Sequence, residues 1–238
     1  MKICVYNLRS DEKKYFRIWK KKLNIELISS TEDPSVNDAE LLEGCEGVSV
    51  LGQVCIGQEL LDFWKANGIR YVSTRTIGYD HIDLAYAKQI GLRVCNVHYS
   101  PNGVADFTIM LMLMCLRNYK QALWRGQVND FSLFGLQGRE MKSMTVGVLG
   151  TGNIGYAVIQ NLQGFGCKIL AYDVYENDRV KEYATYVSLD EILAQSDILT
   201  LHLPLMDSTK HIINDESLKK MKDGDVLINC ARGELADV

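Results

Sequence analysis

The chain has 238 residues, 47% of them hydrophobic and 24% charged, with a formal net charge of -4. That length is ample for one large or two modest packed domains, and the mild acidity argues against a nucleic-acid surface dominated by phosphate contacts. The 7 cysteines are scattered without a CxxC pair, a usage that fits a reducing, cytoplasmic setting, and no metal site is predicted.

Residues 2–6 read as a strand, which leaves no place for a signal peptide. In residues 13–22, KKYFRIWKKK, the basic side chains interleave with Tyr15, Phe16, Ile18 and Trp19. This spacing predicts an amphipathic helix with a solvated lysine face rather than a nucleic-acid patch. Further strands fall near 25–28, 48–51 and 71–73, and further helices near 59–66 and 83–90. The alternation predicts a parallel sheet with helices on its faces, a small α/β domain over residues 1–98.

A largely helical segment near 102–118 connects this domain to the next. Its apolar stretch, FTIMLMLMCL at 107–116, is too short to span a bilayer and is closed by Asp106 and Arg117. It is expected either to be buried or to form an interface. Cys4, Cys95, Cys115 and Cys167 lie in or beside apolar segments and are expected to behave as small hydrophobes. A second α/β series opens at Met144, with strands continuing near 168–172, 185–187, 198–203 and 226–229. The fold class is therefore α/β, with two doubly wound, Rossmann-like parallel sheets, the second over residues 99–238. A full dinucleotide fold has typically about six strands, and this series reaches its fifth before Val238. The second domain is expected to be incomplete at its C-terminus.

The most specific chemistry lies at 145–155, TVGVLGTGNIG, where an apolar strand runs into Gly150-x-Gly152-x-x-Gly155 and a helical pattern follows. Gly150 allows the tight turn, Gly152 lets backbone approach a pyrophosphate, and Gly155 lets helix and strand pack closely. Thr151, Asn153 and Ile154 complete the loop, whose N–H groups and helix dipole favour an anion. Ile154, Ala157, Val158 and Leu162 give the helix one apolar face, and Gly164 and Gly166 end it. Asp173 ends the next strand, where a carboxylate can accept from the adenosine ribose hydroxyls and would repel a 2′-phosphate. No Lys or Arg follows until Arg179, so NAD is favoured over NADP.

In residues 200–205, TLHLPL, His202, Pro204 and Leu205 would border the cofactor crevice at a strand's carboxyl end. A histidine within an alternating strand is more often structural than catalytic. Thr209, in the polar loop after it, is a plausible cofactor contact, and Cys230 and Ala231 border the same crevice. Arg232 follows the last strand with five fixed donors suited to a carboxylate, which makes it the best substrate-binding candidate.

These residues resemble the D-isomer-specific 2-hydroxyacid dehydrogenases, most closely the D-lactate dehydrogenases including the vancomycin-resistance type. The resemblance is carried by YVSTRTIGYDHID (71–83), NVHYSPNGVADFTIMLMLMCLRN (96–118), MTVGVLGTGNIG, LAYD, SDILTLHLPL and LINCARGELAD. It implies that the substrate carboxylate is held by backbone N–H groups of Ile77 and Gly78 and by Arg232, and that Tyr99 of the YSP segment shapes the pocket. It implies NAD-dependent hydride transfer between cofactor and a small 2-oxo acid, with pyruvate to D-lactate the leading case. It also implies a homodimer formed through the cofactor domain. Family members protonate the product with a histidine steered by a glutamate, both beyond the segment that ends at Val238. The 4 histidines, His81, His98, His202 and His211, match segments without that role, so the chain is expected to be C-terminally truncated and inactive alone. The alternative is a dinucleotide-binding module or regulator without turnover.

Overall fold

The structure is a computed structural model that describes residues 1–52 and 54–237. The backbone forms two compact units, Met1–Tyr99 and Ser100–Val238. The first runs β1 (Lys2–Val5), α1 (Lys13–Leu23), β2 (Glu26–Ser29), α2 (Ala39–Leu42), β3 (Gly47–Val50), α3 (Gln58–Ala66), β4 (Tyr71–Thr74), α4 (Leu84–Gln89) and β5 (Arg93–Cys95). Its strands are all parallel, in the order β2-β1-β3-β4-β5, the flavodoxin-like doubly wound arrangement. Central β3 is buried along its whole length, and Cys4, Leu42, Leu61, Trp64 and Val72 form the core around it. Strand β5 escapes a reading of the sequence because three residues are too few to show a period.

Helix α1 departs from the expectation of an inward apolar face. None of its residues is buried, and Tyr15, Ile18 and Trp19 are 56%, 58% and 47% exposed. Polar anchors tie down its N-terminal end. The Arg75 guanidinium reaches Glu12 Oε1 at 3.0 Å, Ser49 Oγ and the carbonyls of Tyr6 and Asn7, and it lies over the Phe16 ring.

The second unit runs α5 (Asn102–Leu116), α6 (Tyr119–Gln127), β6 (Thr145–Leu149), α7 (Asn153–Leu162), β7 (Lys168–Tyr172), β8 (Thr185–Tyr186), α8 (Leu189–Gln195), β9 (Ile198–Leu201), α9 (Asp215–Leu218) and β10 (Val226–Asn229). The parallel order β10-β9-β6-β7-β8 is the Rossmann order through its fifth strand. Met112, Leu116, Val158 and Leu162, from α5 and α7, pack on one face of this sheet. Leu149, Leu170, Ile192, Leu199 and Ile213 fill the other. Helix α8, which the reading of the sequence missed, opens on Ser188-x-x-Glu191, a capping box in which each side chain takes the other's backbone N–H. Gly166, with φ +67°, closes the turn after α7, whereas Gly164 lies inside that turn.

The apolar stretch at 107–116 is buried along one side only. Ile109, Met112 and Leu116 are core residues, while Phe107 and Met110 are exposed. Two cysteine expectations need correction: Cys95 and Cys115 are exposed, and Cys45 is buried instead. Being in an apolar run does not bury a residue whose own position on the helix or edge strand faces outward.

Candidate functional site

Strands β6 and β9 are neighbours in the sheet, and β6 is also where the strand order reverses, so the loops after them flank a topological switch point. Gly150, the first residue after β6, has φ +95°, and a side chain there would meet the His202 carbonyl carbon at 2.6 Å and Leu203 N at 2.8 Å. Only glycine serves both the left-handed backbone and that close approach. A Cβ on Gly155 would run into the Gly150 carbonyl oxygen, so the first turn of α7 sits directly on the loop. Gly152 is different: its φ is ordinary at -64°, and a Cβ there would meet nothing within 4 Å.

That open space lies at the N-terminus of α7. No side chain caps this end, and among the described residues no acceptor takes the N–H of Asn153 or Ile154. Uncapped donors at the positive end of a helix dipole, beside backbone with no Cβ, fit a pyrophosphate.

Thr151, only 2% exposed, does something the sequence did not reveal. Its N–H and hydroxyl both donate to Asp173 Oδ2, at 2.6 and 3.1 Å. The glycine loop and the acid at the end of β7 are thereby one assembly. Asp173 Oδ1 accepts from Tyr175 N at 3.2 Å. Of a carboxylate's roughly four acceptor positions, these donors leave about one, on Oδ1, for a ribose hydroxyl. Arg179, the first basic residue after the acid, lies over the Tyr156 ring at 4.1 Å.

His202 directly follows β9. Its Nε2 lies 3.0 Å from the hydroxyl of fully buried Thr200, and its buried Nδ1 has no partner among the described residues. Burial pushes its pKa down to about 4 from 6.5, so the ring is neutral at physiological pH and is not poised to give up a proton. Because the folded pKa is depressed, the unfolded chain binds the extra proton between about pH 6.5 and 4. Stability is complete above that window and is lost as pH falls through it. Unfolding titrations should show the wild-type chain losing about 2 kcal/mol more than His202→Gln between pH 7.5 and pH 5. Parallel pH profiles for the two proteins would refute the assignment.

Pro204 is exposed and Leu203 buried, which places the backbone after β9 at the surface beside Gly150. The Thr209 hydroxyl donates to Pro204 O at 2.6 Å and accepts from Met206 N at 2.9 Å. Its job in this structure is to shape the loop. Arg232 sits in a turn after β10 that Asn229 holds at both ends: its Oδ1 accepts from Ala231 N and its Nδ2 donates to Arg232 O. Cys230, Ala231 and Arg232 are all partly exposed. Asn229 escaped the reading of the sequence, although an Asn at a strand's end is a standard turn-former.

In the first unit, side chains hold the carbonyls of the turn after β4. Asn96 Nδ2 donates to Ile77 O at 2.8 Å, and Thr76 Oγ1 to Gly78 O at 2.7 Å. The two carbonyls are thus occupied, while among the described residues no acceptor takes the N–H of Ile77 or Gly78. Tyr99 is 54% exposed.

Comparison with known proteins gives these features a family. The model for the NAD binding domain of D-isomer specific 2-hydroxyacid dehydrogenases matches residues 109–238. An aromatic 2-oxoacid reductase from Clostridium sporogenes is 45% identical over 100% of this chain and 72% of its own length. The apo-structure of D-lactate dehydrogenase from Escherichia coli superposes with a TM-score of 0.89 at 34% identity, over 100% of this chain and 76% of that one. A D-lactate dehydrogenase from Aquifex aeolicus, complexed with NAD and lactic acid, gives a TM-score of 0.88 at 34% identity, over 99% of this chain and 70% of that one.

Proposed function

The chain belongs to the D-isomer-specific 2-hydroxyacid dehydrogenases, whose cofactor is NAD, and on that premise we propose that it serves the reduction of a 2-oxo acid to a D-2-hydroxy acid. When bound, NADH supplies the hydride that C2 of the acid accepts. Within this chain, Gly150, Gly152, Asn153, Ile154 and Gly155 would hold the pyrophosphate, Asp173 the ribose, and the backbone at His202, Pro204, Cys230 and Ala231 the nicotinamide half. Arg232 would take the substrate carboxylate and stabilise the charge that develops on the carbonyl oxygen. The shares of Ile77, Gly78 and Tyr99 in substrate binding rest on the family resemblance. The observation that carries the reading is the assembly of an uncapped α7 terminus, an open Gly152 and an acid held by Thr151.

Pyruvate is the leading substrate. The 45% identical aromatic 2-oxoacid reductase favours a second, bulkier choice, and steady-state kcat/KM for pyruvate against phenylpyruvate decides between them. A preference for neither over a non-acid ketone would remove the 2-oxo acid reading altogether. A further reading concerns the 238 residues taken alone. Since burial holds His202 neutral, and the family acid matches none of the other histidines, this polypeptide is proposed to bind NADH without turnover. NADH fluorescence titration alongside a pyruvate assay tests that directly.

The exposed apolar side chains of Leu123, Trp124, Val128, Phe131, Leu133 and Phe134, between 52% and 89% accessible, support self-association through the cofactor-binding unit. Light scattering should give about twice 26.9 kDa, and Trp124→Glu with Phe131→Glu should return the monomer mass. The 7 free cysteines support a reducing compartment such as the cytoplasm. No helix among the described residues is long and apolar enough to cross a membrane.

A further inference from the structure

We propose that Tyr186, on the edge strand β8, is a positioning residue for the ribose acid, acting on Asp173 through Thr151. Tyr186 pairs in register with Ala171, two residues before Asp173. Its hydroxyl donates to Thr151 Oγ1 at 2.7 Å and accepts from Asn177 N at 2.9 Å. Asn177 Nδ2 in turn donates to Thr151 O at 3.3 Å. The direction of this chain is forced. A hydroxyl has one proton, and Thr151 spends its own on the Asp173 carboxylate, so Tyr186 must be the donor to Thr151. The Asn177 N–H then fills an acceptor position on Tyr186. Every hydrogen therefore points toward Asp173, and each bond in such a chain polarises the next in favour of the charged acceptor.

The geometric consequence is that Asp173 cannot rotate freely. Oδ2 is fixed by two donors from Thr151, which leaves Oδ1 as the edge for a ribose hydroxyl. Without the Tyr186 hydroxyl, the Thr151 side chain loses the donor that holds its rotamer, and only the backbone N–H groups of Thr151 and Tyr175 still orient the acid. Tyr186 touches no cofactor atom in this scheme. Its effect is confined to ligands that engage Asp173, and it rests on the ribose reading of that residue.

The test is a double-mutant cycle read by fluorescence titration of NADH and NADPH with the full 238-residue chain. Tyr186→Phe keeps the ring and its packing and is expected to weaken NADH about fivefold, one hydrogen bond's worth, while NADPH changes less than about twofold. Thr151→Val, which keeps the volume and the backbone N–H, should give the same pattern, and Thr151→Ser should restore wild-type affinity. In an Asp173→Ala background, Tyr186→Phe should have no further effect. Equal weakening of both cofactors by Tyr186→Phe, or an effect that persists without Asp173, would overturn the proposal. If Asp173→Ala weakens NADH but neither Tyr186→Phe nor Thr151→Val does, the positioning role alone fails. If Asp173→Ala leaves NADH affinity unchanged, the ribose reading fails and takes this proposal with it.

Discussion

Arg232→Ala is expected to lower kcat/KM for the 2-oxo acid by about a thousandfold while the Kd for NADH stays within about twofold. The reasoning starts from the turn rather than from the guanidinium. Asn229 fixes the backbone on both sides of Ala231, so these two bonds still hold the turn when the Arg232 side chain and its own bond to Ala231 O are removed. What disappears is a planar set of donors for the substrate carboxylate and for the charge growing on its neighbouring carbonyl. Arg232→Lys keeps the charge but not the two-pronged geometry, and should fall between the two. Where the 238 residues alone do not turn over, the same substitution is read as lost binding of a 2-oxo acid to the NADH-bound chain. Equal damage to NADH binding and to 2-oxo acid handling would show that Arg232 holds the fold of the site rather than the substrate.

The second large effect separates two glycines that the sequence makes look alike. Gly152→Ala should leave the thermal midpoint unchanged or slightly raised, because its φ and ψ suit any residue and its surroundings are empty. The same methyl would occupy the space proposed for the pyrophosphate, so NADH affinity should fall at least about a hundredfold. Gly155→Ala should do the reverse in kind. Its methyl meets the Gly150 carbonyl, so the loop or the first turn of α7 must shift, at a stability cost of about 1–3 kcal/mol, with NADH affinity lost as a result of that distortion. Denaturant midpoints and NADH titrations on both variants separate the cases. A destabilised Gly152→Ala with NADH binding retained would contradict the assignment of that space.

The glycine loop between β6 and α7 was legible because its signal is local: a strand, three glycines at fixed spacing, a helix and an acid near one another in sequence. Most strands were legible for the same reason, since a buried parallel strand such as β7 carries an unbroken apolar run, Ile169-Leu170-Ala171. Elements shorter than one hydrophobic period, such as β5, were not. Nor were the consequences of packing, such as α1 keeping Ile18 and Trp19 in solvent. Local apolarity says that a face could be buried, not whether another element reaches it.

The amino-acid sequence alone determined the fold class and the cofactor class, and it singled out Gly150, Asp173 and Arg232 as candidates for the site. These follow from residue type and spacing. The tertiary structure decided that Thr151, Tyr186 and Asn177 converge on Asp173, that Asn229 holds Arg232, and that His202 is kept neutral by burial. Those partners lie 3 to 35 residues apart in the chain. Apart from the local Asn229 turn, these are hydrogen bonds and desolvation between segments that meet only after folding, and they leave no period or spacing to read.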